Sequence, residues 1–293
     1  MLAETIPIYY YNNILIVKNN TRLPIIYTAH HASHDFHELP ERCALSEDEK
    51  IRFSDYGTAE TVPQNGIATI IAKHSRALGD LNRNPDDPGR FQDQDYAKPL
   101  RHRIWKQGKE LSEAEKNELH ARFYNPFHDE IVTQLRAADK PVLVVAWDNT
   151  AHYVIGKNKA NEDVTMPSFV LSNRGGEETA EADDEPTSCS PELLTTLKYY
   201  FERELTQRNL PSDIHLNLVY RGGYITRHYS SRRNATLLRG HGISHPVQSL
   251  QVEYNTSITH DQETLAPKQT AINDLREAFE VALAKTLVAV PLD

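Results

Sequence analysis

Cysteine, methionine and tryptophan are scarce in this chain, two of each among 293 residues. With only Cys43 and Cys189, a disulfide scaffold is excluded, and so is any Cys-x-x-Cys metal or redox motif. Such sparing use fits a reducing compartment. An excess of positive charge is also missing. Lys and Arg number 32 against 41 Asp and Glu, a net charge of -9. That argues against a nucleic-acid partner, because neutralising phosphates needs a concentrated basic surface. No stretch is long and apolar enough to span a membrane. The start, Met1-Leu-Ala-Glu-Thr-Ile-Pro, lacks the basic segment and apolar run of a secretory signal. The expectation is a cytoplasmic protein with neither nucleic acid nor membrane as partner. No Gly-x-Ser-x-Gly elbow, phosphate loop or His-Glu-x-x-His occurs. Neither cysteine has a neighbour that would make it a nucleophile.

What is present is an alternation of strand and helix patterns. Residues 8–17 read as two strands around an Asn12-Asn13 turn, and residues 23–28 and 66–73 as further strands. Residues 141–147, apolar throughout, read as a central strand covered on both faces. Residues 168–171, 214–220 and 247–254 complete the strands, and 221–227 reads as a glycine turn. Ser112-Glu-Ala-Glu115 has the pattern of a capping box. Asn125-Pro126 reads as a second helix start, an N-cap with proline at the first helical position. Residues 191–207 and 271–288 read as helices, and 83–109 as a long, Asn/Asp/Pro/Gln-rich loop. The pattern predicts a single α/β domain over residues 1–293, a mostly parallel mixed sheet between layers of helices. In such sheets ligands bind at the carboxyl ends of the strands.

Four polar motifs fall at those ends: Thr28-Ala-His-His-Ala-Ser-His34, Ser75-Arg-Ala-Leu-Gly-Asp-Leu-Asn-Arg83, Ala146-Trp-Asp-Asn-Thr-Ala-His152 and Gln251-Val-Glu253. His31 and His34 are spaced to share one metal ion across a turn. Asp35 and Asp55 could orient a ligand, or Asp55 could itself bind the metal. Asp148 or His152 offers a further ligand; position favours the first and ligand preference the second. Arg76, Asn82 and Arg83 can grip a carboxylate and polarise a carbonyl, since the guanidinium fork pairs bidentately and stabilises developing negative charge. Gln251 and Glu253 share one face of a strand, and Glu253 suits the base that takes a proton from an activated water. Tyr224 and Arg227, after Gly222-Gly223, could line the same pocket, and His128 could reach it.

Taken together and in this order, the motifs resemble the N-formylglutamate amidohydrolase family. The matching stretches are residues 30–33, 75–83, Tyr124-Asn-Pro-Phe-His128, 142–149, Gly222-Gly-Tyr-Ile-Thr-Arg227 and Gln251-Val-Glu253. The Asp-Leu-Asn-Arg and Gln-x-Glu elements are the most specific, and the set spans residues 23–255. The resemblance implies an α/β/α sandwich like that of the zinc carboxypeptidases and aspartoacylases, with one zinc ion that activates water to cleave an amide. It implies that His31 binds zinc and that Asn82 and Arg83 hold the substrate carboxylate. It further implies that Arg76 polarises the carbonyl and that Glu253 is the general base. Asp55 matches an acidic motif before a helix. The chain departs from the pattern in three places. Trp147-Asp148-Asn149 stands where the family ends its strand in His-Ser. His31-x-x-His34 stands where carboxypeptidases have His-x-x-Glu. Tyr124 replaces the first histidine of Tyr-His-x-Pro-Tyr-His. The second and third ligands therefore stay open among His34, Asp55, Asp148 and His152. The implied substrate is a small acylated amino acid with a free carboxylate. A metallopeptidase acting on peptide or cell-wall stems and a metal-free binding protein of the same fold are the alternatives.

Overall fold

The computed structural model describes residues 8–11, 13–18, 23–91, 103–151, 154–157, 163–182 and 185–292. Its centre is four parallel strands: β3 (Leu23–Ala29), β4 (Gly66–Ala72), β5 (Val142–Thr150) and β10 (Val247–Asn255). The hairpin of β1 (Ile8–Tyr11) and β2 (Ile14–Lys18) adds antiparallel to β4 at one edge. At the other edge β8 (Phe169–Ser172) runs antiparallel to β10 and carries the three-residue β9 (Ile214–Leu216). The order is β1-β2-β4-β3-β5-β10-β8-β9, an eight-stranded mixed sheet. A separate hairpin joins β6 (Val154–Lys157) and β7 (Asp163–Thr165).

Side chains alternate across this sheet and fill two cores. On one face Tyr27, Val145, Trp147, Val252 and Tyr254 pack against α5 (Pro191–Gln207) and α8 (Gln269–Ala289). On the other, Ile26, Val144 and Ala146 meet α4 (Asn125–Ala137), α6 (Tyr224–His228) and α7 (Ser231–Gly240). The result is the expected α/β/α sandwich. A third cluster, including Phe36, Trp105, Leu119 and Phe123, lies among the connecting segments.

Two capping boxes start helices, Ser46 with Glu49 for α1 (Glu47–Phe53) and Ser112 with Glu115 for α3 (Glu113–Leu119), with the single turn α2 (Thr58–Thr61) between them. Asn125, by contrast, is not an N-cap. It lies inside a continuous helical run, with α3 passing through a π-helical turn (His120–Tyr124) into α4. The wider turn lets one run serve two cores: Leu119 and Phe123 enter the third cluster, Tyr124 and Phe127 the sheet-facing one. The strand expected at 141–147 extends to Thr150, because pairing with β10 continues through Thr150 and Asn255. The strand expected over 214–220 stops at Leu216, where Asn217 and Val219 turn to positive φ. The glycine turn at 222–223 opens directly into α6. Of the long loop, Pro88–Phe91 forms a short 3-10 turn, and residues 92–102 lie outside the described residues.

Candidate active site

Sheet register builds the site. Thr28 pairs with Ala146, and Ala146 with Gln251. Two residues further along the parallel strands, His30 comes level with Asp148 and Glu253. Asp148 and Glu253 are direct cross-strand partners, so both carboxylates emerge on one face at the carboxyl end of the sheet. Asp148 is not past its strand but within it, and is buried.

His31 sits at the centre. Its Nε2 meets Asp80 Oδ1 at 2.8 Å. Its Nδ1 meets Asp55 Oδ2 at 2.8 Å and Asp148 Oδ2 at 3.1 Å. Asp148 Oδ2 also takes His30 Nε2 at 2.9 Å. The turn after β4 supplies the cations. Arg76 Nη2 donates to Asp80 Oδ2 at 2.9 Å, its Nη1 lies 3.7 Å from Asp55 Oδ1, and Arg83 Nε reaches Asp80 Oδ2 at 3.3 Å. Asp80 thus ties the central histidine to both arginines. Glu253 Oε1 accepts from Gln251 Nε2 at 2.5 Å.

Electrostatics follow from this crowding of buried carboxylates. Burial and then the charge of Asp148 push the Asp55 carboxyl up to about 7. Burial, with Asp148 and Asp55, holds Glu253 well above the usual carboxylate range. Asp148, despite burial, is held well below it by His30 and His31. Burial and Arg76 work to lower His31, but Asp80 and Asp148 raise it well above an ordinary imidazole.

These residues fit a metal ion. His30, His31 and Asp148 are buried and offer ligand atoms within 4.8 Å of one another. Imidazole with carboxylate is a common donor set for a catalytic divalent ion. Among the described residues, Asp148 Oδ1 and His30 Nδ1 are buried and have no hydrogen-bond partner. Mutual repulsion among Asp55, Asp148 and Glu253 is relieved by a divalent charge placed between them. Asp80 at Nε2 orients His31 so that Nδ1 faces Asp55 and Asp148, as an outer carboxylate does for a metal-bound imidazole.

The expected residues do not all converge. His31, Asp55, Asp148, Arg76, Asn82, Arg83, Tyr224, Arg227 and Glu253 line one cavity of about 1860 Å³. His34 is exposed and is not among its lining residues. His152 lies outside the described residues. Arg83 is 41% exposed, open to a ligand, whereas the Asn82 side chain is engaged: Nδ2 donates to Gln251 Oε1 at 3.3 Å and Oδ1 accepts from Ile225 N at 3.0 Å. Gly223 N also donates to Gln251 Oε1, at 2.7 Å. Sequence reasoning gave no role to His30 or Asp80. Asp80 could have been found from its place between Arg76 and Arg83; nothing in the sequence separated His30 from His34.

A family model for N-formylglutamate amidohydrolase matches residues 23–238. The crystal structure of N-formylglutamate amidohydrolase from Ralstonia eutropha JMP134 has a TM-score of 0.64 at 18% identity, covering 96% of this chain and 100% of that one. A gene product of Agrobacterium tumefaciens has a TM-score of 0.55 at 17% identity, covering 91% of each chain. Both share the fold. No curated protein matches significantly. By the extent of the family match, the chain belongs to the N-formylglutamate amidohydrolase family.

Proposed function

We propose that this chain is a zinc-dependent amidohydrolase that cleaves the amide of a small N-acyl amino acid bearing a free carboxylate, as N-formylglutamate does. The observation that carries this reading is the convergence of His31, Asp148 and Glu253 with Arg76 and Arg83 around one cavity. His31, Asp148 and His30 would hold the ion, with Asp55 beside His31 Nδ1 available as a further carboxylate ligand. Bound there, zinc would supply Lewis acidity and lower the pKa of a water molecule.

The chain's own groups do the rest. Gln251 occupies Glu253 Oε1, so the other oxygen takes the proton of the attacking water. Arg76 stabilises charge developing on the scissile carbonyl oxygen. Arg83 pairs with the substrate carboxylate. As the carbon–nitrogen bond breaks, Glu253 returns the proton to the leaving amine, giving a carboxylate and a free amino acid.

One observation favours a second reading. The cavity exceeds the roughly 300–1,000 Å³ that drug-sized ligands fill, and it suits a longer peptide-like amide handled by the same groups. A panel of N-formyl, N-acetyl and N-peptidyl glutamates, each with its α-amide counterpart, tests both. Preference for short acyl groups and for free carboxylates supports the first reading, and preference for peptidyl substrates supports the second. Equal turnover of carboxylate and amide forms contradicts the role of Arg83.

A further inference from the structure

Three consecutive carbonyls in the Asp-Leu-Asn-Arg segment are each taken by a donor from outside it. Leu81 O lies 3.1 Å from His128 Nε2. Asn82 O accepts from Tyr224 N at 2.9 Å. Arg83 O accepts from the Tyr124 hydroxyl at 2.9 Å. Two of these donors, Tyr124 and His128, are four residues apart on the helical run that leaves the π turn, so they project from one face. Their rings stand 4.2 Å apart.

The protonation of His128 is fixed by its partners. A carbonyl only accepts, so Nε2 carries the proton. Nδ1 is then the acceptor, and the Tyr229 hydroxyl donates to it at 2.8 Å. Burial, then the neighbouring His228, lowers the imidazole to about 3 and keeps it neutral. Tyr229 is buried, and Tyr224 packs 5.6 Å from the His128 ring. The segment so held carries Asp80, the partner of His31 and Arg76, and Arg83.

We propose that His128, oriented by Tyr229 and assisted by Tyr124, is a positioning residue that sets the backbone carrying Asp80 and Arg83. It is not among the residues lining the cavity and acts through the Leu81 carbonyl. A displacement of about 1 Å in such a segment costs on the order of 10²-fold in rate. The effect on turnover rests on the proposed hydrolase function; the effect on the backbone does not.

The test pairs amide hydrogen exchange with kinetics in H128F, which removes the donor, and H128Q, which keeps one. In H128F the amides of Asn82, Arg83 and Tyr224 are expected to exchange about tenfold faster or more. kcat/KM on N-acyl amino acids falls tenfold or more. Bound metal per chain stays unchanged, and H128Q recovers most of both losses. If H128F does not fold, Y229F, which leaves His128 unoriented, decides by the same two readouts. Unchanged exchange of these amides in the folded variant overturns the proposal. Altered exchange in a protein that hydrolyses no N-acyl amino acid leaves the positioning role standing and removes the hydrolase reading.

Discussion

Asp148 and Glu253 are cross-strand neighbours in the parallel pair of β5 and β10, and they share a buried face at the carboxyl end of the sheet. Their proximity shifts the two carboxyls in opposite directions. Asp148 is held ionised by His30 and His31, and its charge helps raise Glu253. A carboxyl shifted upward by burial and like charge has the proton affinity a general base needs. Replacing Glu253 with Gln keeps shape and removes the basic oxygen. Turnover is expected to fall about 10²–10⁴-fold, with the thermal midpoint close to that of the parent. Steady-state kinetics with a melting curve checks both.

His31→Ala removes the group to which Asp55, Asp80 and Asp148 all bind. Elemental analysis is expected to show loss of bound metal. His34→Ala, at an exposed position outside the cavity lining, leaves metal content as it was. Equal retention by both variants would remove His31 from the ligand set.

These outcomes also mark where the sequence was legible. The apolar run of residues 141–147, the capping boxes and the strand–helix alternation identified the sandwich because each is a local pattern with a local cause. The motif order placed His31, Arg76 and Glu253 in one cavity. What the sequence concealed depends on register and long-range contact. His30 and His34 look alike in the chain, yet one meets Asp148 and the other is exposed. Asn125-Pro126 mimics a helix start, but the π turn before it supplies an entry that no local rule encodes.

Gly223 tests the wall of the cavity. A Cβ added there would lie 2.3 Å from Asn82 Nδ2. Asn82 has little freedom to retreat, because it bonds both Gln251 and Ile225. Gly223→Ala should therefore lower kcat/KM roughly 10²-fold through displacement of the Asn82–Arg83 segment. Metal content should stay unchanged, as measured on the same preparation.

A second polar network is buried between Thr61 and the strands β5 and β10. Thr61 Oγ1 accepts from Trp147 Nε1 at 3.0 Å and lies 2.9 Å from the Tyr254 hydroxyl, all three groups buried. Thr61→Val strands the indole N–H and should destabilise by about 1–3 kcal/mol. Denaturant unfolding would show the loss, and kcat should be unaffected.

Acid sensitivity has a source remote from the site. Buried Glu204 on α5 lies 2.6 Å from both Arg208 Nη1 and Lys285 Nζ, the latter on α8. Burial works to raise its carboxyl, but hydrogen bonds from Lys285 and Arg208 hold it below the usual value. A folded-state pKa that is depressed stabilises above the unfolded value, roughly 4.3 for Glu. The contribution disappears as pH falls through the folded value. Glu204→Gln should melt below the parent at pH 7, and the gap should close as the pH drops below 4. A gap that stays constant with pH would contradict this role.

The most direct test of the central claim is release of free glutamate from N-formylglutamate by the purified chain, assayed before metal removal, after chelation and after return of zinc. The account predicts release that stops with chelation and returns with about one zinc per chain. Unchanged release from protein that elemental analysis shows to be metal-free would contradict it, as would no amide hydrolysis by the zinc-loaded chain.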